Sequence, residues 1–497
     1  MLAPAASAPT PPPESLAPFV EPRAAEVLEP LPAVELEKVS LTYQLEAVEV
    51  RGNERTRARV VLRYVRFRPG TVLDVDDPEL ELTRFRLLGT GFFKSVSLSL
   101  RKGSRRGAVR LVIEVEERNT IVVNDVWLGL SATADDQGRT RPLSAYGGVD
   151  VAETNLGGSG ITLGGAVAVA EGQLALRARF FDPAFRGSAW MVQGSLHYEI
   201  AREFYGNRGV LFDDPQRGNE SEEAFAVVRY RRFGGALGAG HDLSVATQVW
   251  FDYRLETLRA ELPRAASHLR GDDREPILFH LHGGRSALSS VRGTLVHDTR
   301  DSPFLPRRGV VASLAGTLAL APLGSGYPFQ KLEGRLSRWF AVPGTRGHVF
   351  GVSGYAGAIS GEAPIFERFY IGDFSDLLPD RILDLNTDTR PAPNFLGTTI
   401  REVRYGDFAA KLQSEYRVPA YRGSRSIFGV DLFFAGGIYA VGSVREIEDP
   451  ARRYSGAARF PADLTFNLGL RADTDVGGFS FAFSNVFGFL PLFRGDR

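Results

Sequence analysis

Polar and apolar residues alternate along several segments of the chain, most clearly at 411–418. One face of that segment carries Lys411, Gln413, Glu415 and Arg417, and the other carries Leu412, Ser414, Tyr416 and Val418. A soluble core would not bury three ionised side chains in a row without partners. The pattern therefore predicts a strand whose polar face lines the wet interior of a barrel.

The same alternation recurs at 331–336 and 464–471, and about fifteen strand candidates lie between residues 121 and 489. Segments of roughly ten residues that are apolar on one face and charged on the other are typical of transmembrane β-barrels. Each segment is a weak signal, so the prediction depends on their number. Residues 260–287 and 491–497 show no clear strand pattern.

Composition narrows the classes of protein that remain. The chain has no cysteine, which excludes disulfides, a thiol nucleophile and cysteine metal sites. No apolar run reaches 18 residues, so only strands are left to cross a bilayer. Lys and Arg total 59 and Asp and Glu total 59, which gives no electrostatic reason to expect nucleic acid as a partner.

Residues 1–40 are rich in Pro, Ala and Glu without periodicity, which predicts a disordered linker. Ala6, Ser7 and Ala8 resemble a signal-peptidase cleavage site, although no charged start or apolar centre precedes them. We expect the signal peptide to begin upstream of Met1 or to have been removed. An Ala-rich tail without meaning is the alternative.

Residues 41–118 predict a small α/β module with the order β-α-α-β-β. An alternating strand at 45–51 is followed by a helix that Thr56 is expected to cap, and a second helix is predicted from Pro78 to Gly89. Two strands joined by a turn at 101–107 complete the module.

Several motifs, taken in order along the chain, resemble one family. In the module they are Glu49 to Thr56 (EVRGNERT), Phe67 to Gly70 (FRPG), Arg86 to Phe93 (RLLGTGFF) and Val109 to Glu117 (VRLVIEVEE). The later ones are Gly147 to Gly160 (GGVDVAETNLGGSG), His297 to Gly309 (HDTRDSPFLPRRG), Phe369 to Gly372 (FYIG) and Ser414 to Pro419 (SEYRVP). Together they resemble the BamA/TamA superfamily of outer-membrane assembly and translocation proteins, with one periplasmic POTRA domain.

The resemblance implies a fold and a function. It implies an antiparallel outer-membrane barrel of about sixteen strands at 119–497, with a loop at about 373–405 folded into its lumen. The implied activity is insertion or translocation of other polypeptides, without enzymatic chemistry or a cofactor. Partners would be unfolded outer-membrane or secreted polypeptides, outer-membrane lipid, and periplasmic chaperones or accessory lipoproteins. A passive channel, a structural barrel or a secretion pore for one dedicated partner is the alternative.

In this family the lumen loop carries a V-R-G-F/Y motif whose arginine reaches acidic groups on the barrel wall. The expected position here holds Asp376 to Pro379 (DLLP) instead, and the nearest substitute is Arg381. Glu415 and Asp431 face the lumen by alternation, so we expect Arg381 to bind one of them and fasten the loop. Arg401 and Arg404 are rivals, and a solvated Arg381 is the alternative.

The POTRA domain is expected to bind an extended client by adding a strand to a sheet edge. The candidate edges are Val96, Leu98 and Leu100, and the segment around 45–50. The basic turn at 101–107 is expected to be a solvated hairpin tip, with lipid headgroups or a client as the alternative.

Metal or enzymatic sites are weakly indicated. His297, Asp298 and Asp301 lie at a strand end beside a proline turn, while His280 and His282 lie in a poorly patterned region. Neither set has a visible scaffold that would bring metal ligands together. His282-Gly-Gly is similar to a lipase oxyanion loop, but no G-x-S-x-G nucleophile motif exists. We predict no metal site and no catalytic residue.

Overall fold

The computed structural model describes residues 41–206, 210–214, 219–270, 273–375, 381–423, 425–448 and 454–485. The predicted linker at 1–40 and the terminal residues 486–497 lie outside this part of the chain. The described chain begins with an N-terminal module at 42–118, hereafter the module. Its elements are β1 (Thr42–Arg51), α1 (Ala58–Leu62), β2 (Val72–Asp74), α2 (Pro78–Gly89), β3 (Phe93–Lys102) and β4 (Ala108–Glu117).

The module is a four-stranded sheet in the order β2-β1-β4-β3, with β1 parallel to β4. Its buried core includes Leu45, Val61, Leu87, Leu111 and Ile113, which come from strands and both helices. Helix α2 has the predicted bounds, because the carboxylate of Asp77 caps the backbone N–H of Glu79 at 2.8 Å.

Two details of the module differ from the prediction. The short strand β2 was missed because three residues are too few to show a periodic pattern. Thr56 does not cap α1, since Arg57 is the residue before that helix and makes no side-chain capping bond. The backbone N–H of Thr56 instead donates to Glu117 at 2.6 Å, which joins the start of the helical region to the end of β4.

The remaining elements follow from residue 121. The strands are β5 (Ile121–Ala134), β6 (Thr140–Glu153), β7 (Thr162–Ala170), β8 (Gln173–Asp182), β9 (Trp190–Tyr205), β10 (Val210–Asp214), β11 (Asn219–Glu223), β12 (Ala226–Asp242), β13 (Thr247–Glu261), β14 (Ala266–Arg270), β15 (Asp273–Pro276), β16 (Gly284–Asp298), β17 (Gly309–Ala319), β18 (Phe329–Ala341), β19 (Val349–Gly361), β20 (Phe369–Tyr370), β21 (Tyr405–Gly406), β22 (Phe408–Arg422), β23 (Ile427–Gly442), β24 (Ala462–Thr474) and β25 (Gly477–Ser484). Two short helices, α3 (Gly372–Ser375) and α4 (Val444–Glu448), lie between strands. None of the described helices has the length and apolarity needed to cross a membrane.

Fifteen of these strands form one antiparallel sheet that runs from β5 to β25. Side chains alternate as predicted: outward residues such as Leu128, Leu237 and Phe251 are 87%, 72% and 65% exposed, whereas many inward charged residues, among them Glu199, Arg232 and Glu256, are buried. An exposed apolar belt around a charged interior is the pattern of a barrel in lipid. The predicted antiparallel barrel after a small α/β module is confirmed.

The two ends of the sheet approach each other near the module. Among the described residues, the backbone N–H of Val123 in β5 donates to the carbonyl of Val476, just before β25, at 2.9 Å. We call the junction between β5 and β25 the seam. Because directions alternate along fifteen strands, β5 and β25 run the same way.

The two rims of the barrel differ. The near end, which faces the module, carries the turns at 154–161, 183–189, 243–246, 299–308, 342–348, 423–426 and 475–476. Most connections at the far end are longer, and two of them form a second sheet in the order β11-β10-β14-β15. The unpatterned region 260–287 thus contributes a hairpin to this far-end sheet rather than a strand to the barrel.

Candidate functional site

The connection between β19 and β22 lies inside the barrel, and its described residues form the lumen loop (362–375 and 381–407). Its aromatic and aliphatic side chains are buried, among them Phe369, Tyr370, Leu385 and Ile400 at 4% exposure or less. Strands β20 and β21 pair at its base. The loop is therefore packed against the inner wall rather than solvated.

One wall cluster is centred on Arg232 of β12, which is 3% exposed. Its guanidinium donates to Glu199 of β9 at 2.8 Å and to Glu256 of β13 at 3.1 Å and 3.3 Å. Asp384 of the lumen loop lies 3.7 Å away, and the ring of Phe366 stacks at 4.0 Å. The buried guanidinium thus joins three wall strands through charge-assisted hydrogen bonds and holds the loop by ion pairing with Asp384.

A second anchor forms around Glu203 of β9, which is fully buried. Its carboxylate accepts hydrogen bonds from Tyr230 of the wall at 3.1 Å, from Asn386 of the loop at 3.1 Å, and from Tyr405 of the loop. Gln173 of β8 adds a bond to the carbonyl of Asn386 at 2.8 Å. Tyr230, Asn386 and Gln173 are buried and Tyr405 is half-buried, so this polar network holds the loop against the wall largely out of water.

Arg381 binds the loop to itself rather than to the predicted carboxylates. It donates to the carbonyl of Phe366 at 2.9 Å and to that of Arg368 at 3.4 Å. Its guanidinium lies 5.1 Å and 5.6 Å from the ring centres of Tyr370 and Tyr405. The expected pairing with Glu415 or Asp431 is not formed in the described structure, so that assignment is corrected.

Glu415 and Asp431 belong to a different cluster of the wall. Glu415 pairs with Arg471 at 2.7 Å and with Arg417 at 3.3 Å, while Asp431 pairs with Arg422 at 2.6 Å. Both carboxylates face the lumen as alternation predicted, but arginines of their own and neighbouring strands are their ion-pair partners. The error arose because alternation gives the face of a residue and not its height along the barrel.

The rival arginines of the loop have different surroundings. Arg404 is half-buried and donates to the carbonyls of Thr389, at 3.2 Å, and Asp388. Arg401 is exposed. Arg404 therefore supports the fold of the loop from within, much as Arg381 does.

The lumen loop contacts both sides of the seam. On one side, Ser131 of β5 donates to the carbonyl of Thr387 at 2.8 Å, and the N–H of Thr389 donates to the carbonyl of Ala132 at 2.8 Å. The β5–β6 register shifts between Ser131 and Thr133, and such a bulge turns a carbonyl away from the ladder. The first barrel strand is thus bound to the loop from inside.

On the other side of the seam, Asp463 of β24 accepts the N–H groups of Phe395 and Leu396, both at 2.9 Å. Thr398 donates to the carbonyl of Ala462 at 2.7 Å, and Asn485 contacts the carbonyl of Ser375. The lumen loop therefore links the first strand of the barrel to its last described hairpin.

Sequence reasoning missed the residues that hold the loop: Arg232, Glu199, Glu256, Glu203, Asn386 and Asp384. The wall residues do occupy inward positions of the alternating pattern, which was the available signal. Nothing local shows which of them meet across strands, because that depends on the register of the closed barrel.

The predicted client edge lies at the border of the module sheet. Strand β3 is a terminal strand, so its backbone edge is open among the described residues. The side chains of Val96, Leu98 and Leu100 point into the module core instead. The other candidate, 45–50, belongs to β1, which pairs with β4 along this stretch and with β2 only at 42–44. Client binding at either edge stays a prediction.

The module is held against the near end of the barrel by polar contacts. Asp242, at the end of β12, pairs with Arg63 at 3.2 Å and Arg86 at 2.5 Å. Asn155, in the turn after β6, donates to the hydroxyl of Thr56 at 2.8 Å. Burial raises the pKa of Glu117, but hydrogen bonds from Thr56 and Arg55 outweigh it and hold that pKa below its ordinary value.

The basic turn lies at the other end of the module, away from these contacts. Arg101, Lys102, Arg105 and Arg106 are all exposed there. The carboxylate of Glu46 holds the turn by accepting the N–H of Ser104 at 2.6 Å. Position and exposure fit the expected solvated hairpin tip.

The histidine candidates do not form a metal centre. Among the described residues, no group of His, Cys, Asp and Glu has the arrangement to hold a metal ion. His282 stacks on Tyr327 at 4.5 Å, and His297 hydrogen-bonds Thr247 at 2.9 Å. Burial, together with the nearby Arg368, lowers the pKa of His280 to about 4, so this imidazole is neutral at physiological pH.

Two sequence-family models match the chain. The Omp85 superfamily domain matches residues 155–377, and the surface antigen variable number repeat, which is the POTRA family, matches residues 43–118. Together these ranges cover more than half of the 497 residues.

A curated relative and two solved structures are similar to this chain. The outer membrane protein assembly factor BamA of Nitratidesulfovibrio vulgaris is 25% identical over 345 residues, which cover 67% of this chain and 37% of the relative. The chain thus corresponds to little more than a third of that protein. CdiB from Escherichia coli has a TM-score of 0.53 at 13% identity, with 89% of this chain and 72% of that chain covered. BamA from Haemophilus ducreyi lacking POTRA domains 1–3 has a TM-score of 0.47 at 15% identity, with 89% and 81% covered.

The likeness to CdiB shows a shared fold, and the barrel with its apolar belt supports a location in the outer membrane. With the family matches, the earlier resemblance is confirmed: the chain belongs to the Omp85 superfamily as a BamA/TamA-type barrel preceded by a POTRA domain.

Proposed function

We propose that this protein inserts polypeptides into the outer membrane or translocates them across it, with the module in the periplasm. The observation that carries the proposal is the lumen loop, which binds β5 through Ser131 and β24 through Asp463. A loop that only plugged a pore could bind any part of the wall. A loop that binds both sides of the seam controls whether the barrel wall can part.

The open backbone edge of β3 supplies a means of capturing a client. An extended polypeptide can add a strand there, since its own N–H and C=O groups replace the missing neighbour. The client would then reach the seam or the lumen at the near end. Neither step requires a cofactor or catalytic chemistry, so the chain is proposed to act as a binding and guiding device.

Locking the loop to β5 tests this proposal. The chain has no cysteine, so a Ser131→Cys/Thr387→Cys pair introduces only two thiols, at residues in direct contact: the hydroxyl of Ser131 donates to the carbonyl of Thr387 at 2.8 Å. Loss of thiol labelling confirms that oxidation has joined them in a disulfide. The protein is reconstituted into phosphatidylcholine vesicles, and the folding rate of an unrelated unfolded barrel protein is followed by heat-modifiable gel mobility. We expect the oxidised form to match empty vesicles and reductant to restore acceleration.

The matched control is Gly316→Cys/Leu332→Cys, a pair that lies away from the loop. These two residues are register partners on the neighbouring strands β17 and β18. Oxidation of this control should leave acceleration intact. If oxidised and reduced loop pairs accelerate equally, loop release is not part of the activity. If neither accelerates but reduction raises ion conductance across a planar bilayer, the protein is a passive channel or a dedicated secretion pore plugged by the loop.

A further inference from the structure

Arg118 occupies the junction between the module and the barrel, directly after β4 and three residues before β5. Arg118 is 6% exposed, and its guanidinium points to the last described hairpin of the barrel. It donates to Asp473 of β24 at 2.7 Å and to the carbonyl of Thr474. The backbone hydrogen bond across the seam lies nearby, because Val123 follows Arg118 by a few residues and Val476 follows Thr474 by a few residues. Arg118 therefore fastens the near end of the seam.

Two aromatic rings enclose the same guanidinium. Phe304, in the turn after β16, lies 4.5 Å from it, and Phe428, in β23, lies 4.8 Å from it. A cation held between aromatic faces out of water is attracted more strongly than one in solvent. Arginine suits this position because its flat group stacks on rings while its edge donates to the carboxylate; lysine offers only a point charge.

The turn that delivers Phe304 is built to be rigid. The carboxylate of Asp301 accepts the N–H groups of Arg307 at 2.8 Å and Arg308 at 3.2 Å. Gly309 closes the turn at φ +106°, where a Cβ would lie 2.3 Å from the carbonyl oxygen of Thr299. This is the segment whose sequence resembles a family motif, and here it crosses the near end to reach the seam.

The module holds Arg118 as firmly as the barrel does. Its backbone N–H donates to the carbonyl of Phe92 at 2.9 Å. The preceding Glu117 accepts the N–H groups of Arg55 at 2.9 Å and Thr56 at 2.6 Å. A rotation of the module therefore moves the Arg118 backbone, and the guanidinium must either follow or leave Asp473.

We propose that Arg118 is a positioning residue that couples the orientation of the POTRA module to the seam. While the module lies against the near end, Arg118 holds the last hairpin beside β5. When the module turns away, the guanidinium leaves Asp473 and its two aromatic neighbours, and the near end of the seam loosens. This inference rests on the proposed function for its biological meaning, whereas the coupling itself is a structural property.

The coupling is measured with pairs of spin labels on engineered cysteines in the full chain. One pair, Leu128→Cys and Phe481→Cys, reports the seam through outward residues of β5 and β25 that are 87% and 61% exposed. A second pair, Ser99→Cys on β3 and Thr345→Cys in the turn after β18, reports the module against the barrel. Pulsed electron resonance gives both distance distributions in vesicles.

We expect Arg118→Met to broaden the distance distributions of both label pairs. Compared with Arg118→Met, Arg118→Lys should return the module distribution closer to that of the parent chain than it returns the seam distribution. Asp242→Asn frees the module from a different place, because Asp242 binds two module arginines far along the rim from the seam. With Arg118 intact it should broaden the module distribution and, through Arg118, the seam distribution. Added to Arg118→Met, it should leave the seam distribution as Arg118→Met alone has it. An unchanged seam in a folded Arg118→Met, or a seam that stays narrow in Asp242→Asn while the module distribution broadens, would overturn the proposal.

Folding is checked by heat-modifiable mobility, and Phe304→Leu supplies a milder change in case Arg118→Met does not fold. It removes one ring from the guanidinium and should broaden the seam distribution while Asp473 remains paired. Client insertion is measured separately. A seam that responds to Arg118 without any effect on insertion would leave the coupling established and defeat the proposed function instead.

Discussion

Arg232→Met is the sharpest test of how the lumen loop is held. The substitution keeps an unbranched side chain but removes a cation that bridges Glu199 and Glu256, both 1% exposed. Glu256 keeps Arg254 as a partner, whereas the hydrogen-bond donor described for the Glu199 carboxylate is Arg232 itself. The main consequence is therefore an uncompensated carboxylate on β9, together with a weaker hold on Asp384 of the loop.

Removing one partner of a buried ion pair typically costs about 3–5 kcal/mol. Since Arg254 relieves one of the two carboxylates, we expect the free energy of unfolding to fall by about 3 kcal/mol. The matched control is Arg335→Met, the same change at an exposed arginine on the inner face of β18. Exposed substitutions usually change stability by about 0.5 kcal/mol or less.

Urea unfolding in vesicles, followed by the fluorescence of the four tryptophans, measures both variants. A second arm combines Arg232→Met with Glu199→Gln, which removes the unpaired charge and should recover at least about half of the loss. The reasoning is refuted if Arg232→Met unfolds at the same urea concentration as Arg335→Met. It is also refuted if the double variant is less stable than Arg232→Met, because the buried charge would then not be the cause.

Three further perturbations have defined outcomes. Gly309→Ala should reduce the folded fraction on heat-modifiable gels, because its left-handed backbone and the approach to Thr299 cost about 1–3 kcal/mol or more, whereas Gly316→Ala, in open space, should not. Asp242→Asn should increase trypsin cleavage between module and barrel about tenfold, equivalent to about 1.4 kcal/mol of lost ion pairing; an unchanged rate would show that other contacts suffice. His280→Asn should remove part of the acid sensitivity of unfolding, since asparagine tolerates the positive φ of 50° at this site.

The sign of the His280 effect follows from its lowered pKa, about 4 against an ordinary value of 6.5. Between these two values the unfolded chain binds more protons than the folded one, so stability falls as the pH drops through this window. Above pH 6.5 this residue should add no pH dependence. Urea midpoints at pH 7.5 and 5 should therefore differ less for His280→Asn than for the parent chain. Equal differences would show that His280 is not the responsible group.

Strands and helices, which depend on local periodicity, could be predicted from the sequence. The partners of side chains that come from distant segments could not. Alternation gave the barrel, its wet interior and the inward positions of Glu415 and Asp431. Helical spacing of apolar residues predicted α2 from Pro78 to Gly89, which are its observed bounds. Arg381 was placed correctly in the loop but given the wrong partners, because its height relative to Glu415 depends on the path of a connection without periodicity.

The contacts of Asn386 with Glu203 illustrate the same limit. These residues are 183 positions apart and meet only because strand register and loop path place them together. A charged residue at an inward position indicates that some partner exists, yet the partner is chosen by the closed barrel. Arg118 was hidden for the same reason, since its partner Asp473 lies 355 positions away.

The described sheet has an odd number of strands, so its two end strands run in the same direction. With β5 and β25 running the same way, direct pairing between them would be parallel, which is slightly less stable per residue than antiparallel pairing. A single additional strand that runs toward the near end would be antiparallel to both neighbours and make the count even. A strand that pairs antiparallel with both β5 and β25 runs from the far end to the near end, so this position favours one strand direction over the other.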